Sequence, residues 1–370
     1  MVRKETGTQG EVSTSETSES AILTETQGSS EHNSSTSSIV YKQPARRIEI
    51  DGLDDIYSVA FLADGKHIVG GGDERKVRRW QVEDGKEVGT PIDVGVTVCN
   101  IAVSQDGQWV VGGTTTGLVT VWSTENYEKV IGFRGHTSSV CAVDFSPDGT
   151  KIATGSADST ACVWSFSSGQ RLLRQLQHNA AVAAVKFSPN GNLIATATWE
   201  RDSVRIYDDE NGGLLVDVAI NVSSLWNQSL AWASDSKRLF VLSRDGNINC
   251  VNVSKGTTRF RWPIHSNDEP RCIALASNDT FIVASANSWV SFWDTTTRKQ
   301  IGTISKHTAR IQSMAIAANY DLVIGGGRTI TLRSLGDILP SPYAEDVSAR
   351  TLKFPCMRGF PNHNPLRLLI

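Results

Sequence analysis

The stretch that decides the architecture is residues 135–164, GHTSSVCAVDFSPDGTKIATGSADSTACVW. Val140 to Phe145 is a short run of β-branched and apolar residues, and Ser146-Pro147-Asp148-Gly149 supplies the turn chemistry that reverses it. Lys151 to Gly155 returns as a second strand, Ala157 to Ser159 turns again, and Thr160 to Trp164 is a third strand. Just downstream, Ser167-Ser168-Gly169 makes another turn and Arg171 to Leu176 reads as a fourth strand. Four short antiparallel strands have been written in about forty residues, with no helical periodicity. Such a unit cannot bury its own faces and needs copies of itself on either side.

The copies are present on both sides of it. Asp64-Gly65, Asp106-Gly107, Asp148-Gly149 and Asn190-Gly191 stand 42 residues apart each time, and weaker turns at Asp235-Ser236, Asn278-Asp279 and Asn319-Tyr320 follow at 45, 43 and 41. A second anchor keeps step, with Trp80, Trp122, Trp164, Tyr207, Val251, Trp293 and Arg333 each ending a third strand. Seven units result, and a radial array of seven four-stranded sheets is a seven-bladed β-propeller, an all-β fold.

Here the chain resembles the WD-repeat family. Gly135-His136, Val140, Val143, Phe145 to Gly149, Ile152 to Ser156, Asp158 and Trp164 follow that family's pattern closely. His178, Phe187 to Gly191, Thr196 and Tyr207 follow it nearly as well. The resemblance covers Ala45 to Leu335 as degenerate repeats. It implies that repeats are out of phase with blades, so that Arg46 to Ile50 closes the ring as the outer strand of blade seven, against Thr329 to Arg333. The resulting division is a Ser/Thr/Glu-rich tail over 1–44, expected to be disordered because it has too little apolar surface to offset ordering, a propeller over 45–340 and an extension over 341–370. The extension ends in the apolar run Leu366 to Ile370 and is expected to pack against the propeller, the alternative being a partner-binding tail.

His136, Thr154 and Asp158 have the residue types of a nucleophilic triad. The resemblance instead gives His136, Thr154, Asp158 and Trp164 in blade three, and His178 and Thr196 in blade four, the role of a structural hydrogen-bond network. In blade four the carboxylate is left open between Glu200 and Asp202. The other blades lack the set and are expected to rest on apolar packing. The innermost strands begin at Tyr57, Cys99, Cys141, Ala183, Gln228, Arg271 and Gln312, which form no recognisable catalytic or metal-binding set. No cofactor is expected. Gly70-Gly71-Gly72 and Gly325-Gly326-Gly327 end strands rather than cradle phosphate, since no helix follows them.

Six cysteines lie too far apart for a zinc or redox motif, and Cys99 and Cys141, at the same place in consecutive repeats, read as small buried hydrophobes. Residues 1–38 carry six glutamates against Arg3 and Lys4, a balance of −4 within a net charge of −3, so the remainder is +1. This is not the basic footprint of a nucleic-acid-binding domain. No apolar run approaches the roughly 18 residues of a membrane span, and the first sixteen residues do not resemble a secretory signal. The expected location is therefore intracellular, cytoplasmic or nuclear.

These observations lead to a non-catalytic protein-interaction scaffold, working with a protein or peptide partner within a larger assembly and without nucleic acid or membrane. The alternative is a propeller enzyme, a hydrolase or quinone-dependent dehydrogenase, using the central channel. Large side chains cluster on the face made by loops entering first strands and by turns joining second to third strands. They are Trp199 and Arg201 in blade four, Trp226 entering blade five, Arg244 in blade five, Trp289 in blade six and Arg310 entering blade seven. Tryptophan and arginine dominate interface hot spots, which makes this face the expected binding surface.

Overall fold

The computed structural model describes residues 47–50, 53–199, 204–222, 228–264, 269–304, 307–319, 321–335, 338–340 and 343. The chain enters through β1 (Arg47–Ile50) and then builds blade one from β2 (Ile56–Phe61), β3 (His67–Gly72), β4 (Lys76–Gln81) and β5 (Ile92–Asp93). Blade two is β6 (Val98–Val103), β7 (Trp109–Thr114), β8 (Leu118–Ser123) and β9 (Lys129–Arg134). Blade three is β10 (Val140–Phe145), β11 (Lys151–Ser156), β12 (Thr160–Ser165) and β13 (Leu176–Gln177). Blade four is β14 (Val182–Phe187), β15 (Leu193–Thr198), β16 (Val204–Asp208) and β17 (Leu214–Val218). Blade five is β18 (Leu230–Trp232), β19 (Arg238–Leu242), β20 (Asn247–Asn252) and β21 (Thr257–Pro263). Blade six is β22 (Pro270–Leu275), β23 (Phe281–Ala286), β24 (Trp289–Asp294) and β25 (Gln300–Ile304). Blade seven takes β26 (Ser313–Ile316), β27 (Asp321–Gly326) and β28 (Thr329–Ser334) from this end of the chain and β1 from the other.

Closure follows from that last pairing. β1 runs antiparallel to β28 in the register Arg47↔Arg333 to Ile50↔Ile330. Buried Ile50 joins an apolar cluster with Ile56, Val59, Val323, Ile330 and Leu332, so the two ends of the propeller share one core. The innermost strands then neighbour one another from β2 through β6, β10, β14, β18, β22 and β26 and back to β2. A ring closed this way has no open seam, and its remaining edges are the short outer strands.

The hairpin turns explain why the repeats survive degeneracy. Gly65, Gly107, Gly149 and Gly191 all have positive φ, the conformation that a residue without Cβ adopts freely. In the weaker turns Ser236 and Asp279 take the same left-handed conformation, with φ of 55° and 60°. The turn geometry is therefore kept where the glycine is not.

Blade three departs from expectation at its outer strand. Arg171 makes a single bridge with Trp164, and only Leu176 and Gln177 pair continuously with β12. Leu173 packs inward against the cluster of Ala142, Val163 and Val185, and Leu176 against Ala161, Val182 and Tyr207. Inward residues three apart break the two-residue alternation of a strand, so the middle of the segment leaves the sheet.

Candidate interaction face

In blade three the network residues meet. The imidazole of His136 lies 3.0 Å through Nδ1 from Asp158 Oδ2 and 2.7 Å through Nε2 from Thr154 Oγ1, and Trp164 Nε1 donates to the same Oγ1 at 2.8 Å. The directions are mutually consistent: indole to hydroxyl, hydroxyl to imidazole Nε2, and Nδ1–H to carboxylate. Asp158 also accepts from the backbone N–H of Thr137 at 2.9 Å and from the hydroxyl of Thr160 at 2.5 Å. Burial lowers the His136 pKa, with Asp158 opposing it, so the ring is neutral near neutral pH. Burial would raise the Asp158 pKa, but the hydrogen bonds from Thr160 and Thr137 and the proximity of His136 outweigh it and hold it low. Thr154 is fully buried, so its hydroxyl has no route to a substrate. Chemically the chain satisfies buried polar groups and ties together the entering loop, the second turn and the third strand.

Blade four has a looser version. His178 Nε2 is 3.4 Å from Thr196 Oγ1 and 3.3 Å from Tyr207 Oη, and burial pushes its pKa down to about 4. Glu200 and Asp202 lie outside the described residues.

Two arrangements escaped the reading of the sequence. In blades one and two, glycine stands where Thr154 stands in blade three, across the sheet from Arg78 and Thr120. A Cβ on Gly70 would approach Trp80 Cζ3 to 3.0 Å, and one on Gly112 would approach Trp122 Cζ3 to 2.8 Å, so the indole fills the missing side chain's space. The second arrangement rings the channel. Each of β2, β6, β10, β14 and β22 slips register after its first pair, and side chains of the neighbouring blade take up several N–H groups there. Val59 N–H donates to Ser313 Oγ at 3.0 Å, Ile101 N–H to Ser58 Oγ at 3.0 Å and Val143 N–H to Asn100 Oδ1 at 3.0 Å. The recurrence of Ser58 and Asn100 one repeat apart was the available signal.

The slip changes which residues serve the channel. Tyr57 turns to donate to Asp73 at 2.7 Å, and burial pushes the thiols of Cys99 and Cys272 up to about 12. The lower part of the channel is a cavity of about 380 Å³ lined by residues of the innermost strands, among them Phe61, Val103, Leu275 and Ile316. Its charged groups, Lys186 and Asp144, pair at 2.8 Å, and Asp144 also accepts from Phe187 N–H at 2.8 Å. Gln228 reaches across to accept from Met314 N–H at 3.1 Å.

On the face of entering loops and second-to-third-strand turns, called the upper face below, the candidate residues part company. Trp289 is 42% exposed and Arg244 is exposed. Arg310 is half exposed and pairs with Glu269, which also meets buried Arg271 at 3.2 Å. The loop carrying Arg310 is fastened to the turn beside Trp289 by Ile311 N–H donating to Asn287 O and His307 N–H to Ser288 O, both at 2.8 Å. Trp199 folds back, half-buried against the cluster that contains Ile220, Val222 and Leu230, with its strand bridging Val222. Arg201 and Trp226 lie outside the described residues.

Among known proteins, the family model described as WD domain, G-beta repeat matches residues 48–81, 127–165 and 170–208. Comparison with curated proteins gives no match. Those three matched segments cover the closing strand of blade seven and strands of blades one to four, and the same four-stranded unit continues through blades five to seven. The chain belongs to the WD-repeat β-propellers.

Proposed function

We propose that this protein is a non-catalytic interaction scaffold whose upper face around blades five to seven receives a protein or peptide partner. The observation that carries the reading is Trp289, a large aromatic left 42% exposed in a fold that buries Trp80, Trp122, Trp164, Trp232, Trp262 and Trp293. Beside it the Arg310–Glu269–Arg271 cluster offers oriented donors and an acceptor. Apolar area flanked by charge is the usual anatomy of an interaction hot spot. WD-repeat propellers commonly mediate protein–protein contacts, which supports the same assignment.

The make-up of the channel supports this over chemistry, because its charged pair, Lys186 and Asp144, is internally satisfied. We place the protein in the cytoplasm or nucleus. Five buried, unbridged cysteines suit a reducing compartment, and among the described residues no helix is long and apolar enough to cross a membrane.

The test is the triple variant Trp289→Ala, Arg244→Ala, Arg310→Ala, used as bait beside the parent chain. Hot-spot residues contribute about 2 kcal/mol or more each, so capture of the main partner is expected to fall by well over thirtyfold with an unchanged melting temperature. Undiminished capture by the folded variant would remove this face from the assignment.

A further inference from the structure

Blade four breaks the repeat at one buried position. The backbone N–H groups of Val82, Thr124, Phe166, Asp209, Val253 and Thr295, each two residues past the anchor residue of its blade, donate to the residue that follows their own blade's first turn, at 2.7 to 3.1 Å. Five of these six places are neutral. Val82, Phe166 and Val253 are apolar, and the hydroxyls of Thr124 and Thr295 donate to the same turn, to Gly107 O at 2.7 Å and to Asp279 O at 2.6 Å. Asp209 has no proton to donate there, and its side chain is only 7% exposed. Withdrawing a carboxylate from water costs far more than burying a valine or a threonine in its place.

That desolvation is half compensated. Asp209 Oδ2 pairs with Lys151 Nζ of blade three, whereas its buried Oδ1 has no hydrogen-bond partner among the described residues. Asp209 lines a cavity of about 540 Å³ between the first turns of blades three and four and the last turn of blade four, on the face of the ring opposite Trp289. Asp148, Asp208 and Glu210 line it too, so four carboxylates face the one amine of Lys151. Burial would raise the Asp148 pKa, but hydrogen bonds from Ser146 and Thr150 and the nearby Lys151 ammonium hold it low. Asp208 Oδ1 accepts from the N–H groups of Glu210 and Asn211, at 3.0 and 3.1 Å, which fixes the turn that carries Asp209 and the exposed Glu210.

We propose that this cavity receives the guanidinium group of an arginine in a partner peptide. Its excess of negative charge selects a cation, and among the described residues no group of His, Cys, Asp and Glu is placed to hold a metal ion. A guanidinium carries five N–H donors in a planar fork and is more weakly hydrated than an ammonium, so it serves Asp209 and a neighbouring carboxylate together. Lys151 is 27% exposed and sits on a flexible stem, so its amine can yield one side of Asp209 to the incoming group. The volume lies within the range of about 300–1,000 Å³ usual for ligand sites. This site is on the other face from Trp289 and stands apart from the upper-face assignment.

The test is a titration of the full chain at low salt, followed by two-dimensional NMR at the backbone amides of Gly191 and Glu210, with Nα-acetylarginine amide as probe. Saturable shifts are expected, with a Kd on the order of 1 mM. The citrulline counterpart, equal in shape and uncharged, should bind at least about tenfold more weakly. Free arginine should also bind more weakly, because its α-carboxylate meets the same acidic lining. Asp209→Asn should weaken the blocked arginine about tenfold. Glu210→Gln changes an exposed side chain, leaves the fold intact and should weaken binding about threefold. Glu125→Gln, at the matching turn position of blade two, should change nothing. Citrulline binding equal to arginine, free arginine binding more tightly than the blocked form, or a Glu210→Gln chain that binds like the parent would overturn the proposal. A folded Asp209→Asn variant with undiminished binding would do the same and leave the Lys151 pair a purely structural tie.

Discussion

Blades two and three solve one packing problem in two ways. Each has a tryptophan at the end of its third strand, Trp122 and Trp164, and each must fill the space between that indole and the second strand. Blade three places Thr154 there and runs a hydrogen-bonded line through His136 to Asp158. Blade two removes the side chain altogether, so that the Trp122 ring closes directly on Gly112. The first solution uses directional bonds among buried polar groups, whereas the second uses contact area, and both yield the same four-stranded sheet. Repeats can therefore lose the polar signature and keep the blade.

The largest effect is expected from removing what both solutions share, the closed ring. Deleting residues 1–51 takes away β1, its pairing with β28 and buried Ile50, a loss of about 3 kcal/mol or more, and leaves an open sheet edge. Denaturant melts and light scattering should show a destabilised, aggregating product, while deletion of 1–38 should leave stability unchanged. A soluble and equally stable product of the longer deletion would break the closure argument.

Next in size is an attempt to write blade three's solution into blade two. Gly112→Thr forces a Cβ to within 2.8 Å of Trp122 Cζ3 without supplying the histidine, an overpacking expected to cost about 3 kcal/mol. If the melt shows less than about 1 kcal/mol, the indole is not confined as described. In the opposite direction, Asp158→Ala removes the acceptor of His136 Nδ1 and of Thr137 N–H, and should cost about 2 kcal/mol. A change below about half a kcal/mol would mean that solvent replaces the carboxylate freely.

The smallest effect separates the blades by pH. His136 and His178 have pKa values lowered by burial relative to 6.5 in the unfolded chain, His178 to about 4. The unfolded state therefore binds more protons below 6.5, and stability is present above that value and lost as pH falls through it. Between pH 7 and pH 6 the His178 ring alone should cost about 0.7 kcal/mol, with His136 acting in the same direction, read as a shift in denaturation midpoint. The variant Asp158→Ala addresses the same balance, since Asp158 opposes the lowering at His136. A flat profile from pH 7 to pH 5 would show both rings to be solvated.

What the sequence by itself determined is local in origin. Turn residues at a spacing of 42, alternating strands and the recurring tryptophan specify the blade, because turn chemistry and side-chain alternation act within a few residues. The resemblance of residues 135–164 to a WD repeat also implied the partners of His136. Tertiary structure alone decided the rest. Trp199 follows the second strand of blade four and Trp289 opens the third strand of blade six, yet Trp199 packs against the cluster of Ile220, Val222 and Leu230 while Trp289 stands out, since exposure depends on what the next blade brings against it. Ser58 and Asn100, rather than Tyr57 and Cys99, hold neighbouring blades together because a one-residue slip in β2 and in β6 reverses which side chain faces its neighbour. The slip falls in β2, β6, β10, β14 and β22 but not in β18 or β26, and only the paired strands show where it falls.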